Sequence, residues 1–238
     1  GERIGKIREF IRDNHGDAML FSCLDEIAWL YNIRCNDIAY NPVAISYAVV
    51  EKDKAHLFIK LDKISQEIAR QLATDGIELH DYHHVFLFLD EQKKENVYFV
   101  DTNTCNYAVF NYLAKKFEVR EIDSPIPLLK AVKNATELEG FRLACRKDGV
   151  ALSKFYYWLE NRLLQQPVTE LEAAEQLTWF RSQDKEYVSD SFGCISAYGS
   201  NAALPHYSAT PEQQSEIHPK GLYLVDSGAQ YMHGTTDI

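Results

Sequence analysis

Two aspartates near the end of the 238-residue chain, Asp226 and Asp237 in "GLYLVDSGAQYMHGTTDI", have the spacing that points most directly to chemistry. Asp226 closes an apolar run, and Asp237 follows eleven residues later, past Gly228 and Gly234. On the two arms of one antiparallel hairpin, with the turn centred between Tyr231 and Met232 or shifted slightly by a bulge, they face each other on one side of the sheet. Their Cβ atoms then stand about 4.5–5.5 Å apart. Carboxylates that close repel, and both ionise in a partly buried place only when a cation lies between them. One divalent ion, or a pair held about 3.5–4 Å apart, resolves the conflict and makes a hydrolytic centre. The structural alternative is that Asp226 ends a strand in a turn and Asp237 is surface. The spacing alone leaves both readings open.

His206 lies in "GSNAALPHYSAT", a loop punctuated by Gly and Pro between expected strands, where a rigid scaffold commonly presents binding residues. An exposed or purely structural histidine is the other reading. His80, His83 and His84 in "ELHDYHHVFLFLD" form a second cluster. They precede an expected strand and have no Cys or Glu at ligand spacing, so no metal site is expected there. The aromatic run Phe155–Trp158 reads as helix packing. No phosphate-cradling Gly loop, G-x-S-x-G elbow or H-E-x-x-H helix is present, which removes P-loop enzymes, α/β-hydrolases and zincins.

Positioning these residues requires a scaffold, and the apolar periodicity supplies one. "GERIGKIREFIRD" is an amphipathic helix with Ile4, Ile7, Phe10 and Ile11 on one face. Because it starts at Gly1, a processed or truncated N-terminus is expected. The segments "AMLFS", "IAWLYN", "VAISYAVV", "AHLFIK", "HVFLFLD" and "NVYFVD" read as strands, interleaved with helices near Lys63–Ala73 and Tyr107–Lys116. Residues 1–123 are therefore expected to form one α/β domain with a mixed sheet. Pro125 and Pro127 break the pattern, which places the boundary there and assigns 124–238 to a second domain. Thr136 with Glu139 predicts a capping box opening a long helix, and Thr169 with Glu172 a second box opening a helix to about Arg181. Strands follow from Ser189 onward.

Composition narrows the partners. A formal charge of −10 argues against nucleic acid or an anionic membrane surface. No run approaches the roughly 18 apolar residues of a spanning helix. Five irregularly spaced cysteines without a C-x-x-C motif read as reduced, mostly buried thiols of a cytosolic protein.

"YLVDSGAQYMHGTTDI" resembles the first metal-binding hairpin of the Xaa-Pro aminopeptidases, members of the creatinase/methionine-aminopeptidase "pita-bread" family. "LDEIAWLYNIRCNDIAYNPVAISYAVV" resembles the middle domain of their three-domain type, and "KAVKNATELEGFRLACRKDGVALSKFYYWLE" the opening helix of their catalytic domain. "SFGCISAYGSNAALPHY" resembles the strand and loop that bring a histidine twenty residues before the first metal aspartate, which is the interval from His206 to Asp226. The resemblance implies a creatinase-type mixed-sheet domain followed by the first half of a pita-bread catalytic domain. It implies two divalent ions, manganese, with Asp226 on one and Asp237 bridging both, and His206 as the catalytic-pocket histidine. Metal-activated water would attack the amide before a penultimate proline in peptide substrates. A cytoplasmic homodimer is implied for the full-length protein, and the 238-residue piece alone is expected to be inactive. A non-catalytic peptide-binding relative, or a prolidase- or creatinase-type hydrolase, is the alternative.

Overall fold

Isoleucines spaced three and four apart at the start of the chain make one face of α1 (Glu2–Asp13), which buries Ile4, Ile7 and Ile11 and half-buries Phe10. The structure, a computed structural model, describes all residues from Gly1 to Ile238. It divides into two units: Gly1–Ile38 with Pro42–Val132, and Ala39–Asn41 with Lys133–Ile238.

The first unit continues with β1 (Ala18–Phe21), α2 (Leu24–Tyr31), β2 (Ser46–Glu51), β3 (Ala55–Ile59), α3 (Gln66–Thr74) and β4 (Ile77–Asp81). It is completed by α4 (Val85–Glu91), β5 (Val97–Val100), α5 (Tyr107–Ala114), β6 (Glu118–Glu121) and α6 (Ile126–Ala131). The strands form a six-stranded mixed sheet in the order β4-β3-β2-β1-β5-β6. Pairs β1–β2 and β2–β3 are antiparallel, whereas β3–β4, β1–β5 and β5–β6 are parallel. Strand periodicity sorts the core by face. Met19, Phe21, Ala48, Val50, Leu57 and Phe99 pack under Ile4, Ile7, Leu72 and Ile126 from the helices on one side. Leu20, Val49, Phe58, Tyr98 and Val100 pack under Val85, Leu89, Val109 and Leu113 on the other. With helices on both faces, the central strands are apolar throughout rather than alternating.

Two expected strands are helices. "IAWLYN" belongs to α2 and "HVFLFLD" to α4. In α4 the chain buries Val85 and Leu89, four apart, and leaves Leu87 59% exposed, whereas an extended segment would put all three on one face. The segment α6 stays with the first unit because Ile126 is fully buried in its core with Leu129 packed against that core, so the division falls at Val132 rather than ahead of Ser124.

The second unit runs α7 (Ala135–Leu163), β7 (Val168–Thr169), α8 (Glu170–Ser182), β8 (Tyr187–Asp190), β9 (Ile195–Tyr198), β10 (Glu216–Ile217), β11 (Tyr223–Asp226), β12 (Ala229–Tyr231) and β13 (Gly234–Thr235). The capping box of α7 is two residues earlier than expected. Asn134 accepts from the Glu137 N–H at 2.8 Å, and Glu137 accepts from the Asn134 N–H at 3.0 Å. Thr169 is the N-cap of α8, accepting from the Glu172 N–H at 3.1 Å, but the reciprocal half of the expected box is not made, and the Glu172 carboxylate lies 4.0 Å from Arg162 instead. Phe155, Leu159, Ala173 and Leu177 join the two helices in a core that also takes Val168 and Ile217. Short antiparallel sheets pair β11 with β9, β12 with β8 and β13, and β10 with β7.

All five cysteines are unpaired thiols; four are half-buried and Cys145 is exposed, so none is buried outright as the sequence suggests. No helix is long and apolar enough to cross a membrane.

Candidate metal centre

Tyr231 pairs with Gly234 and Gln230 with Thr235, so the hairpin turns between Met232 and His233, one residue beyond the expected centre. The ladder runs on past the regular strands. Thr236 N–H donates to Ala229 O at 2.8 Å, and Ser227 and Ile238 exchange two backbone bonds of 3.0 and 2.9 Å. In this register Gly228, not Asp226, lies opposite Asp237. Moving the centre by one residue moves each partner by two, and two preserves the face. Asp226 and Asp237 therefore remain on one side of the ladder as diagonal neighbours, a relation of about 7–8 Å rather than the direct 4.5–5.5 Å.

Asp226 is half-buried and Asp237 exposed, and neither accepts a hydrogen bond or meets a protein cation. On its other edge Asp226 pairs with Ile195 of β9. Its charge reaches the neighbouring Cys194, whose thiol is pushed up to about 12, chiefly by burial and further by Asp190 and Asp226. Two uncommitted carboxylates on one face form a hard-oxygen donor set, the kind that suits Mg, Ca or Mn ions. The residues present fit a divalent cation.

A buried ion pair sets the position of the hairpin. Asp148 of α7 and Arg181 of α8 are 0% and 1% exposed and meet in a fork, Nε–Oδ1 2.7 Å and Nη2–Oδ2 3.1 Å. Arg181 also donates to Ser227 Oγ at 3.0 Å and Gly228 O at 3.3 Å. Asp148 accepts from Tyr231 Oη at 3.1 Å and Thr236 Oγ1 at 2.8 Å. Thr236 Oγ1 in turn accepts the Ala229 N–H at 3.0 Å. Both arms between the aspartates are thus tied to one charge pair. The backbones approach closely as well: a Cβ at Gly228 would meet Thr236 O at 2.1 Å, and one at Gly140 of α7 would meet His233 O at 2.3 Å. Only glycine fits at either place.

His206 is carried by a loop and not by the hairpin. It is exposed, with a positive φ of 56°, in the loop that leaves β9 after Tyr198. Tyr198 lies opposite Tyr223, three residues along the ladder from Asp226, or about 10 Å at ~3.4 Å per residue. No bond joins His206 to either aspartate. A second buried carboxylate holds its loop. Glu170, fully buried, accepts from Tyr207 Oη at 2.7 Å, from Ser215 N–H at 2.8 Å, from Asn201 Nδ2 at 3.0 and 3.1 Å, and from Tyr198 N–H. Burial alone would raise the Glu170 carboxyl, but these donors outweigh it and hold it below its ordinary value. Tyr207, the neighbour of His206, is pushed up to about 12 by burial and by Glu170.

Sequence reasoning passed over Asp148, Arg181 and Glu170, although a signal existed. Ala144, Asp148, Ala151, Leu152 and Phe155 form one helical stripe, and Glu170, Ala173, Leu177 and Arg181 another. A charge inside an apolar stripe must be paired to be buried, so such interruptions mark buried polar nodes.

A family model described as Creatinase/Prolidase N-terminal domain matches residues 1–137, and one described as Metallopeptidase family M24 matches 139–238. The "Probable Xaa-Pro aminopeptidase P" of Sordaria macrospora is 40% identical over 249 residues, covering 100% of this chain and 40% of the relative. That of Neurospora crassa is 39% identical, with 36% of its length covered. The crystal structure of X-prolyl aminopeptidase from Caenorhabditis elegans, described as a cytosolic enzyme with a di-nuclear active site, superposes with a TM-score of 0.91 at 33% identity, over 99% of this chain and 40% of that one. Prolidase from Pyrococcus horikoshii, at 20% identity and a TM-score of 0.76, shares the fold. The chain spans about 40% of the length of the first two relatives and of the nematode enzyme. With its α/β mixed sheet and its pita-bread-type neighbours, and with residues 139–238 matching the metallopeptidase family M24 model, the chain belongs to the creatinase/prolidase N-terminal domain family.

Proposed function

We propose that this chain is part of a metal-dependent aminopeptidase that releases the N-terminal residue from peptides with proline in second position, and that Asp226 and Asp237 hold two divalent ions. The observation that carries the reading is the pair of same-face carboxylates, both without a protein cation, on a ladder locked by Asp148 and Arg181. The names of the aminopeptidase relatives and the di-nuclear description of the nematode enzyme support it. When bound, the ions supply Lewis-acid polarisation and a lowered pKa for the attacking water. The hard oxygen donors suit manganese, the ion we assign, as they do magnesium and calcium. Asp226 and Asp237 neutralise and fix the cations. His206, exposed on a loop whose base is anchored through Tyr207, is the group we assign to hydrogen-bond the peptide near the scissile carbonyl. The substrate proline has no N–H, and a shaped pocket can select its ring. A cytoplasmic homodimer is the setting we assign to the complete protein.

The test is metal analysis and peptidase assay of the complete protein beside Asp226→Ala and Asp237→Ala. Loss of bound metal with a fall in kcat/KM of more than about 100-fold in each is expected, since even outer-sphere changes cost 10–100-fold. Unchanged metal content and turnover in either variant would remove the assignment.

A further inference from the structure

Three side chains with no part in the aspartate centre converge in the first unit, at the edge where β3 meets β4. The parallel register sets His56 beside Glu78 and Phe58 beside His80. His56 Nδ1 is 3.0 Å from His80 Nε2 and 3.5 Å from Glu78 Oε2, and the three ligating atoms all lie within 4.8 Å of one another. The His56 ring is 2% exposed and packs against Phe88 with centroids 4.5 Å apart. Its second nitrogen, Nε2, stands 3.0 Å from Glu51 Oε2.

The hydrogen-bonding inventory restricts what this cluster can be. An ionised carboxylate only accepts, so when Glu51 takes the single N–H of an uncharged His56 at Nε2, Nδ1 is left as a lone pair. That lone pair faces the Glu78 carboxylate, a second acceptor. His80 Nε2 has one hydrogen at most, which serves one of the two. A cation between them serves both and also takes the His80 lone pair.

The spacing agrees with that occupant. Zinc–ligand distances of about 2.0–2.2 Å in a tetrahedron put ligand atoms roughly 3.3–3.5 Å apart, and two of the three separations already lie close to this. The third closes by rotation of Glu78, whose side chain is 49% exposed and whose other oxygen is held only by Lys54 at 3.1 Å. An exposed ion pair of that kind is worth at most about 1 kcal/mol. Glu51 takes the place of the carboxylate that orients a ligating imidazole.

We propose that His56, His80 and Glu78 bind a zinc-type divalent ion with one open position, separate from the aspartate centre, with Glu51 orienting His56. The ion cross-links edge strand β4 to β3. His83 and His84 take no part, so the sequence expectation of no metal ligands in this histidine run is revised for His80 alone.

The test uses the full 238-residue chain carrying Asp226→Ala and Asp237→Ala, titrated with zinc by calorimetry and with cobalt(II) by visible absorption. One zinc per chain, a tetrahedral cobalt band and a zinc-dependent rise in Tm are expected. His80→Gln and Glu78→Gln should each weaken binding at least tenfold and remove the band, whereas His83→Gln should change neither. Both informative positions are on the edge strand and only partly buried, so circular dichroism of the variants separates loss of a ligand from loss of the fold. Absence of zinc binding tighter than millimolar, or a stoichiometry and spectrum untouched by His80→Gln in the folded variant, would overturn the proposal. Neither result bears on the peptidase reading, because no step of the assay depends on turnover.

Discussion

Asp148 and Arg181 keep their charges in a place sealed from water because each completes the other, and the remaining donors and acceptors are spent on the hairpin. Breaking one side of such a pair costs about 3–5 kcal/mol, since an uncompensated charge stays behind. Arg181→Met should therefore lower the urea-unfolding free energy of the second unit by about that much, and adding Asp148→Leu should recover part of it. A double variant no more stable than the single would show that the hairpin bonds, not the charge pair, dominate. Glu170 gives the acid response its sign. Its folded carboxyl lies below the unfolded value, so its stabilisation is complete above about pH 4.3 and is lost as pH falls through the folded value. Glu170→Gln should be less stable at neutral pH and should show a shallower loss of stability between about pH 5 and pH 3. An unchanged slope in that interval would assign the acid sensitivity to other groups.

At the scale of elements, the cap of α7 is decided by Asn134, whose side chain makes both halves of the box with Glu137. Asn134→Ala should cost about 1 kcal/mol, read by thermal unfolding, whereas Thr136→Ala, inside the first turn, should cost little. The reverse order would restore the expectation drawn from Thr136 and Glu139. The difficulty was one of degeneracy. "KNATELEG" offers two overlapping acceptor–Glu spacings, and only the backbone chooses. Short apolar runs are degenerate in the same way, so the segments of α2 and α4 read as strands while β1, β2, β3 and β5 are legible. The same-face placement of Asp226 and Asp237 is legible because their parity survives a one-residue shift of the turn. Their diagonal offset is not, because the turn residues Met232 and His233 carry no strong turn signal.

For the molecule as a whole, each unit has a hydrophobic core of its own. Trp29 reports on the first unit, and Trp158 and Trp179 on the second. Phe58→Ala, emptying a fully buried ring from the first unit, should destabilise that unit by about 3–5 kcal/mol. In denaturant, a chain keeping only Trp29 should then unfold earlier while one keeping only Trp158 and Trp179 should shift far less. Equal shifts would mean that the two cores melt as one cooperative body. Within the second unit, the glycine seat at Gly140 has a mechanical consequence. With backbone resting on backbone there is no flexible side chain to absorb displacement, so α7 and the hairpin behave as a single lever. A tilt at one end of that lever is passed on to Asp226 and Asp237, and a metal centre of the kind proposed for them tolerates only about 0.5 Å.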